Sequence, residues 1–155
     1  RAYGLAVRRF RDVVTLGVGA FLQELDRAAG VAAGGGRPRR VSGIHEIRLE
    51  ANSEGETYRF NPDRVNARPG DVLVFKAVSG LPHSIVFESA GLSDQAHEAL
   101  NGAMSRRAGD LSSPLLTLQG AEYRIVIPQL TPGTYQFFCL PHRAYDMRGQ
   151  LRITK

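Results

Sequence analysis

Gly133-Thr134-Tyr135-Gln136-Phe137-Phe138-Cys139-Leu140-Pro141-His142-Arg143-Ala144-Tyr145-Asp146-Met147 is the stretch from which the rest of the chain can be read. A strand ends at Cys139, a loop follows, and His142 and Met147 project from it. Tyr135 and Phe137 are strand residues, with Phe137 on the opposite sheet face from Phe138. Together the three side chains offer a thiolate, an imidazole and a thioether in C-x₂-H-x₄-M spacing. Soft sulfur with imidazole and no nearby carboxylate cluster favours copper over magnesium, calcium or manganese. Zinc accepts Cys and His, but a thioether is a poor zinc ligand.

A loop supplying three donors needs a fourth from elsewhere. The best candidate is His83, at the start of a predicted strand in Leu81-Pro82-His83-Ser84-Ile85-Val86-Phe87. Two His, one thiolate and a weak axial Met are the donor set of a blue-copper electron-transfer site. Working outward, short apolar runs bounded by turn-formers predict strands over residues 44–50, 57–60, 71–78, 83–88, 122–127, 133–139 and 150–154. Residues 93–107 read as a short helix or helical loop with Ser93 as its N-cap. The resulting fold class is all-β, a Greek-key sandwich or barrel with one helical insertion.

With those strands in place, residues 44–155 resemble the plastocyanin, pseudoazurin and amicyanin group of cupredoxins. Phe60-Asn61-Pro62 before Val65, Pro69-Gly70-Asp71, the Pro82-His83 strand start, Pro132-Gly133-Thr134-Tyr135 and the Cys139–Met147 loop carry the resemblance. It implies that His83, Cys139, His142 and Met147 hold one type 1 copper ion, with Met147 the long, weak ligand. It further implies a site shielded from water, the His142 ring edge exposed as the electron's exit, and an apolar docking rim of Leu81, Pro82 and Pro141.

Five positions depart from the family pattern. Ser84 follows the first His where the family usually has Asn, and Ser replaces one hydrogen bond but not the amide's full set. Phe138 stands where plastocyanins often carry a Tyr used for partner contact. Arg143, Tyr145 and Asp146 add bulk and charge to a loop that usually holds small residues. Of the remaining histidines, His45 and His97 are expected to be structural or solvated.

The composition changes near residue 40. Apolar residues at Phe10, Val13, Val14, Val18, Phe21, Leu22 and Leu25 follow one helical face, predicting an amphipathic helix within residues 1–29. A Gly/Arg-rich linker spans 30–40, and a cupredoxin domain spans 41–155. The chain has 155 residues and 20 Lys and Arg against 15 Asp and Glu. Residues 1–40 hold eight Arg against three acids, so the whole excess of +5 belongs to that arm. Basicity confined to an arm is no evidence for nucleic acid. The arm is expected to tether the carrier to a membrane complex, a partner protein or anionic lipid. Packing of the helix on its own barrel and a retained targeting segment are the competing readings.

A single Cys excludes a disulfide framework and any four-Cys metal site. No apolar run reaches the roughly 18–20 residues of a transmembrane helix. A copper enzyme needs a second site with further His ligands, and only His45 and His97 are to spare. The expected role is therefore an electron carrier and not an enzyme, passing electrons between redox proteins such as a cytochrome, a membrane oxidoreductase or a reaction centre. The alternative is a copper carrier or store, or a non-catalytic copper subunit of a larger complex. The resemblance implies an extracytoplasmic setting, in a periplasm or on the outer face of a membrane.

Overall fold

Along β1 (Ile44–Ala51), Ile47 and Leu49 point inward while Glu46 and Arg48 face out, a period of two that fixes which side of the sheet becomes core. The same alternation runs through β3 (Arg64–Ala67), β6 (Glu122–Val126) and β8 (Arg148–Ile153). The computed structural model describes residues 43–155 apart from 53 and 55. The expected helix over 1–29 and linker over 30–40 lie outside the described residues. None of the described helices is long and apolar enough to cross a membrane.

The described strands form two mixed four-stranded sheets. With β2 (Tyr58–Asn61) and β4 (Val72–Ala77), the first has the order β2-β1-β4-β6, with β1 and β4 parallel. With β5 (Val86–Phe87) and β7 (Gly133–Phe138), the second has the order β3-β8-β7-β5, with β3 and β8 parallel. Their inner faces share one core. At its centre Phe137 packs edge-on against Phe60 and Phe75, ring centroids 4.8 and 5.5 Å away. A Cβ at Gly149 would come within 2.3 Å of the Phe137 ring, so only glycine lets β8 lie this close to it. Phe138 points to the other face, where Arg143 covers its ring at 4.6 Å.

The sandwich, the mostly-β fold class and the Ser93-capped helical insertion are as expected, and two strands differ. β3 is a strand the sequence reading left out. The strand expected over 83–88 shrinks to β5 because its first half bonds to a neighbouring loop. His83 exchanges backbone hydrogen bonds with Leu116, and Ile85 N–H donates to the Ser113 hydroxyl. The helical insertion is α1 (Asp94–Ala103), capped by the Ser93 hydroxyl, which accepts from Ala96 N–H at 3.2 Å. β7 and β8 are an antiparallel hairpin pairing Phe138 with Arg148, so the segment 139–147 is its connection.

Candidate metal centre

The hairpin connection begins with Cys139 N–H donating to Met147 C=O at 3.0 Å, which extends the ladder by one rung and closes the loop. Inside it a 3₁₀ turn, Arg143–Tyr145, ends at Asp146 in the left-handed region, φ 56°. This folds the chain back so that His142, at the head of the turn, faces the same interior as Cys139. Cys139 and Met147 are fully buried, and His142 is 6% exposed.

His83 arrives from the far end of β4, beyond the turn that follows Ala77. Its Nδ1 stands 3.6 Å from Cys139 Sγ, and Nδ1 of His142 stands 3.4 Å from the same sulfur. The donor atoms of the three residues lie within 4.8 Å of one another. His83 Nε2–H donates to the Ser79 carbonyl at 2.6 Å, which leaves the Nδ1 lone pair turned toward the sulfur. Ser79 is itself fastened to the end of β1, its hydroxyl bonding both Ala51 N–H and Ala51 C=O.

Ser84 joins the two halves. Its N–H donates to Cys139 Sγ at 3.4 Å, and its hydroxyl accepts from Leu140 N–H at 3.1 Å. That is the single side-chain bond expected of Ser in place of an amide. Burial holds the Cys139 thiol above its ordinary pKa, with the Ser84 and His142 amides pulling the other way. Burial also lowers both histidines, for His83 against the bond to Ser79, and for His142 together with the charge of His83. The group is therefore two neutral imidazoles and a thiol, a soft set without carboxylate. By ligand chemistry it fits copper and does not fit a hard cation.

His142 keeps only a small opening to solvent, and one face of its ring is covered. Tyr58, the first residue of β2, lies flat on it, with ring centroids 3.7 Å apart and planes 12° from parallel. Tyr145 tilts against Tyr58 at 4.9 Å and is itself 55% exposed. Sequence reasoning missed Tyr58, although period-two alternation places it on the inward face it shares with Phe60. Of the expected rim, Pro82 and Pro141 are exposed, whereas Leu81 is half-buried against the core. Leu140 is the exposed apolar residue that the rim reading omitted. His45 and His97 lie outside the donor group, bonded to Asp71 and Asp110 at 3.0 and 2.8 Å.

The family described as copper binding proteins, plastocyanin/azurin family, matches residues 47–154. A plastocyanin of Vicia faba is 30% identical over 108 residues, covering 70% of this chain and 98% of that one. The chloroplastic plastocyanin minor isoform of Arabidopsis thaliana is 28% identical over 101 residues, covering 65% of this chain and 54% of that one. The structure of oxidised plastocyanin from the fern Dryopteris crassirhizoma superposes with a TM-score of 0.54 at 28% identity, covering 69% of this chain and 99% of the other.

Proposed function

The chain belongs to the plastocyanin/azurin family of copper-binding proteins, and on that premise we propose that it carries single electrons between larger redox proteins. Plastocyanin-like members of that family are electron carriers. The residues proposed to hold the metal are His83, Cys139 and His142, and Met147 would supply a fourth, weak thioether donor. The observation that carries this reading is the convergence of three buried donor atoms, two of them imidazole nitrogens aimed at one sulfur.

Bound there, copper supplies a one-electron Cu(II)/Cu(I) couple. Everything else is the work of the protein. Loading requires Cys139 Sγ to give up its proton, and the two neutral imidazoles need give up none. Ser79 holds His83 in one tautomer, and Ser84 holds the two donor segments in register. A closed hairpin loop and a packed sandwich keep the donors in one arrangement, so little has to move when the charge changes. Closure and burial support a resident ion and weigh against the carrier or storage reading, which calls for an open, exchangeable site.

Partner recognition is proposed to use Pro82, Pro141, Leu140 and Tyr145 around the loop. The proposed setting is extracytoplasmic, in line with the family resemblance, and residues 1–40 are proposed as the tether to a membrane complex or partner. The test of the core reading is titration of the metal-free protein with Cu(II). An intense visible thiolate-to-copper band is expected, and Cys139→Ser removes it while the circular dichroism of the sandwich persists. A colourless wild-type protein would sink the reading. Loss of partner capture on deleting residues 1–40 tests the tether separately.

A further inference from the structure

We propose that Tyr58 is a positioning residue of the copper centre: its ring fixes the plane of His142 and replaces solvent on the face that the imidazole would otherwise show to water. This rests on the copper reading above. The two histidines are oriented differently. His83 has the Ser79 carbonyl on its outer nitrogen, whereas among the described residues Nε2 of His142 has no hydrogen-bond partner. What lies against His142 instead is an aromatic face at 3.7 Å, near-parallel, on a residue two positions before core Phe60 on the same side of β2.

The fold makes room for that ring. Gly80 has φ +70°, and a Cβ there would stand 2.6 Å from Ala51 Cβ and 3.0 Å from Tyr58 Cε1. The chain gives up a side chain at the turn leading to His83, and the space is taken by the end of β1 and by Tyr58. Tyr145 braces the ring from the solvent side. The stack is thus gripped on three sides and is not an incidental surface contact.

Two consequences follow. A ring held in plane keeps its Nδ1 on the sulfur, as a second bond partner does for most metal-bound histidines. A face denied to water also deprives the oxidised site, which bears one more positive charge, of solvation. Tyr58 therefore favours the reduced state, and removing it lowers the reduction potential.

The experiment compares wild type, Tyr58→Phe and Tyr58→Ala, each first shown folded by its thermal transition. In the metal-free proteins, proton NMR reads the ring-current shift of the His142 ring protons, expected upfield in wild type and Tyr58→Phe and lost in Tyr58→Ala. In the copper-loaded proteins, voltammetry is expected to give Tyr58→Phe the wild-type potential and Tyr58→Ala a lower one, with an altered charge-transfer band. If Tyr58→Ala keeps the band and has an unchanged or raised potential, the proposal is overturned and the copper reading stands. If wild type takes up copper without any band, the copper reading fails and the proposal fails with it. The phenol hydroxyl has no place in the account, so a shifted Tyr58→Phe potential also overturns it.

Discussion

The His83 side of the site and the His142 side reach the same sulfur by different physics. His83 is held at long range: a backbone ladder to Leu116, a carbonyl at Ser79, and through Ser79 the end of β1. His142 is held locally, by a nine-residue hairpin connection with one internal 3₁₀ turn and by an aromatic ring laid on it. Hydrogen bonds fix direction, whereas stacking fixes a plane and excludes water. The first side therefore sets where a donor points, and the second sets how wet the site is. Ser84 is the side chain that couples them.

The largest effect should come from Gly80→Ala, which strikes both sides at once. The added Cβ meets Ala51 and Tyr58 at a backbone angle that L residues rarely adopt. Together these cost about 3 kcal/mol or more, read as a fall in the urea midpoint. If instead stability holds and the copper band is unperturbed, the two sides do not share that turn as a common support.

A smaller effect is expected from Asp71, which precedes β4 and lies at the opposite end of that strand from Ser79. Burial pushes its pKa up, but hydrogen bonds from His45 and the Arg68 amide, with their charges, outweigh this and hold it below the ordinary 3.8. A carboxylate depressed in the fold stabilises fully above its unfolded pKa and ceases to do so as pH falls through the folded value. Glu50, held by Asn61 and Arg59 against the cost of burial, acts in the same direction. Stability should therefore drop as pH falls below about 4. Asp71→Asn should remove about 2 kcal/mol at neutral pH and flatten that dependence. Neither side of the site is touched, so the visible band stays unchanged; a band that moves would break the separation between the site and the far end of β4.

The smallest effect on stability belongs to Ser84→Ala, which leaves Leu140 N–H without its partner at a cost of about 1 kcal/mol. Its sharper readout is copper loss to a chelator, expected to be faster because the donor segments are no longer in register. An unchanged rate would show that the sandwich alone aligns them.

Legibility followed the range of the interactions. The hairpin connection could be read because Cys139, His142 and Met147 are close in sequence and the strand before them alternates. His83 was readable by its donor chemistry and by the Pro82-His83 pair. β3 was not, since its four residues owe their strand to a parallel partner more than eighty positions on, Val65 beside Leu151. The truncation of the 83–88 strand has the same origin, because loop residues 112–116 claim its backbone groups. Tyr58 escaped because nothing near residue 58 announces His142. Its role exists only once β2 is laid beside the loop.

One feature of the hairpin has a meaning for how such a protein can change. The ladder closes below the loop, at Cys139 and Met147, and the core ring of Phe137 is seated on Gly149 behind it. Residues 140–146 therefore hang from a frame whose ladder closes without them, tied back to it by Leu140 N–H on Ser84 and by Arg143 over the Phe138 ring. Arg143, Tyr145 and Asp146 are exposed there, so exchanging them should alter the chemistry of the surface beside the site more than the sheets beneath it.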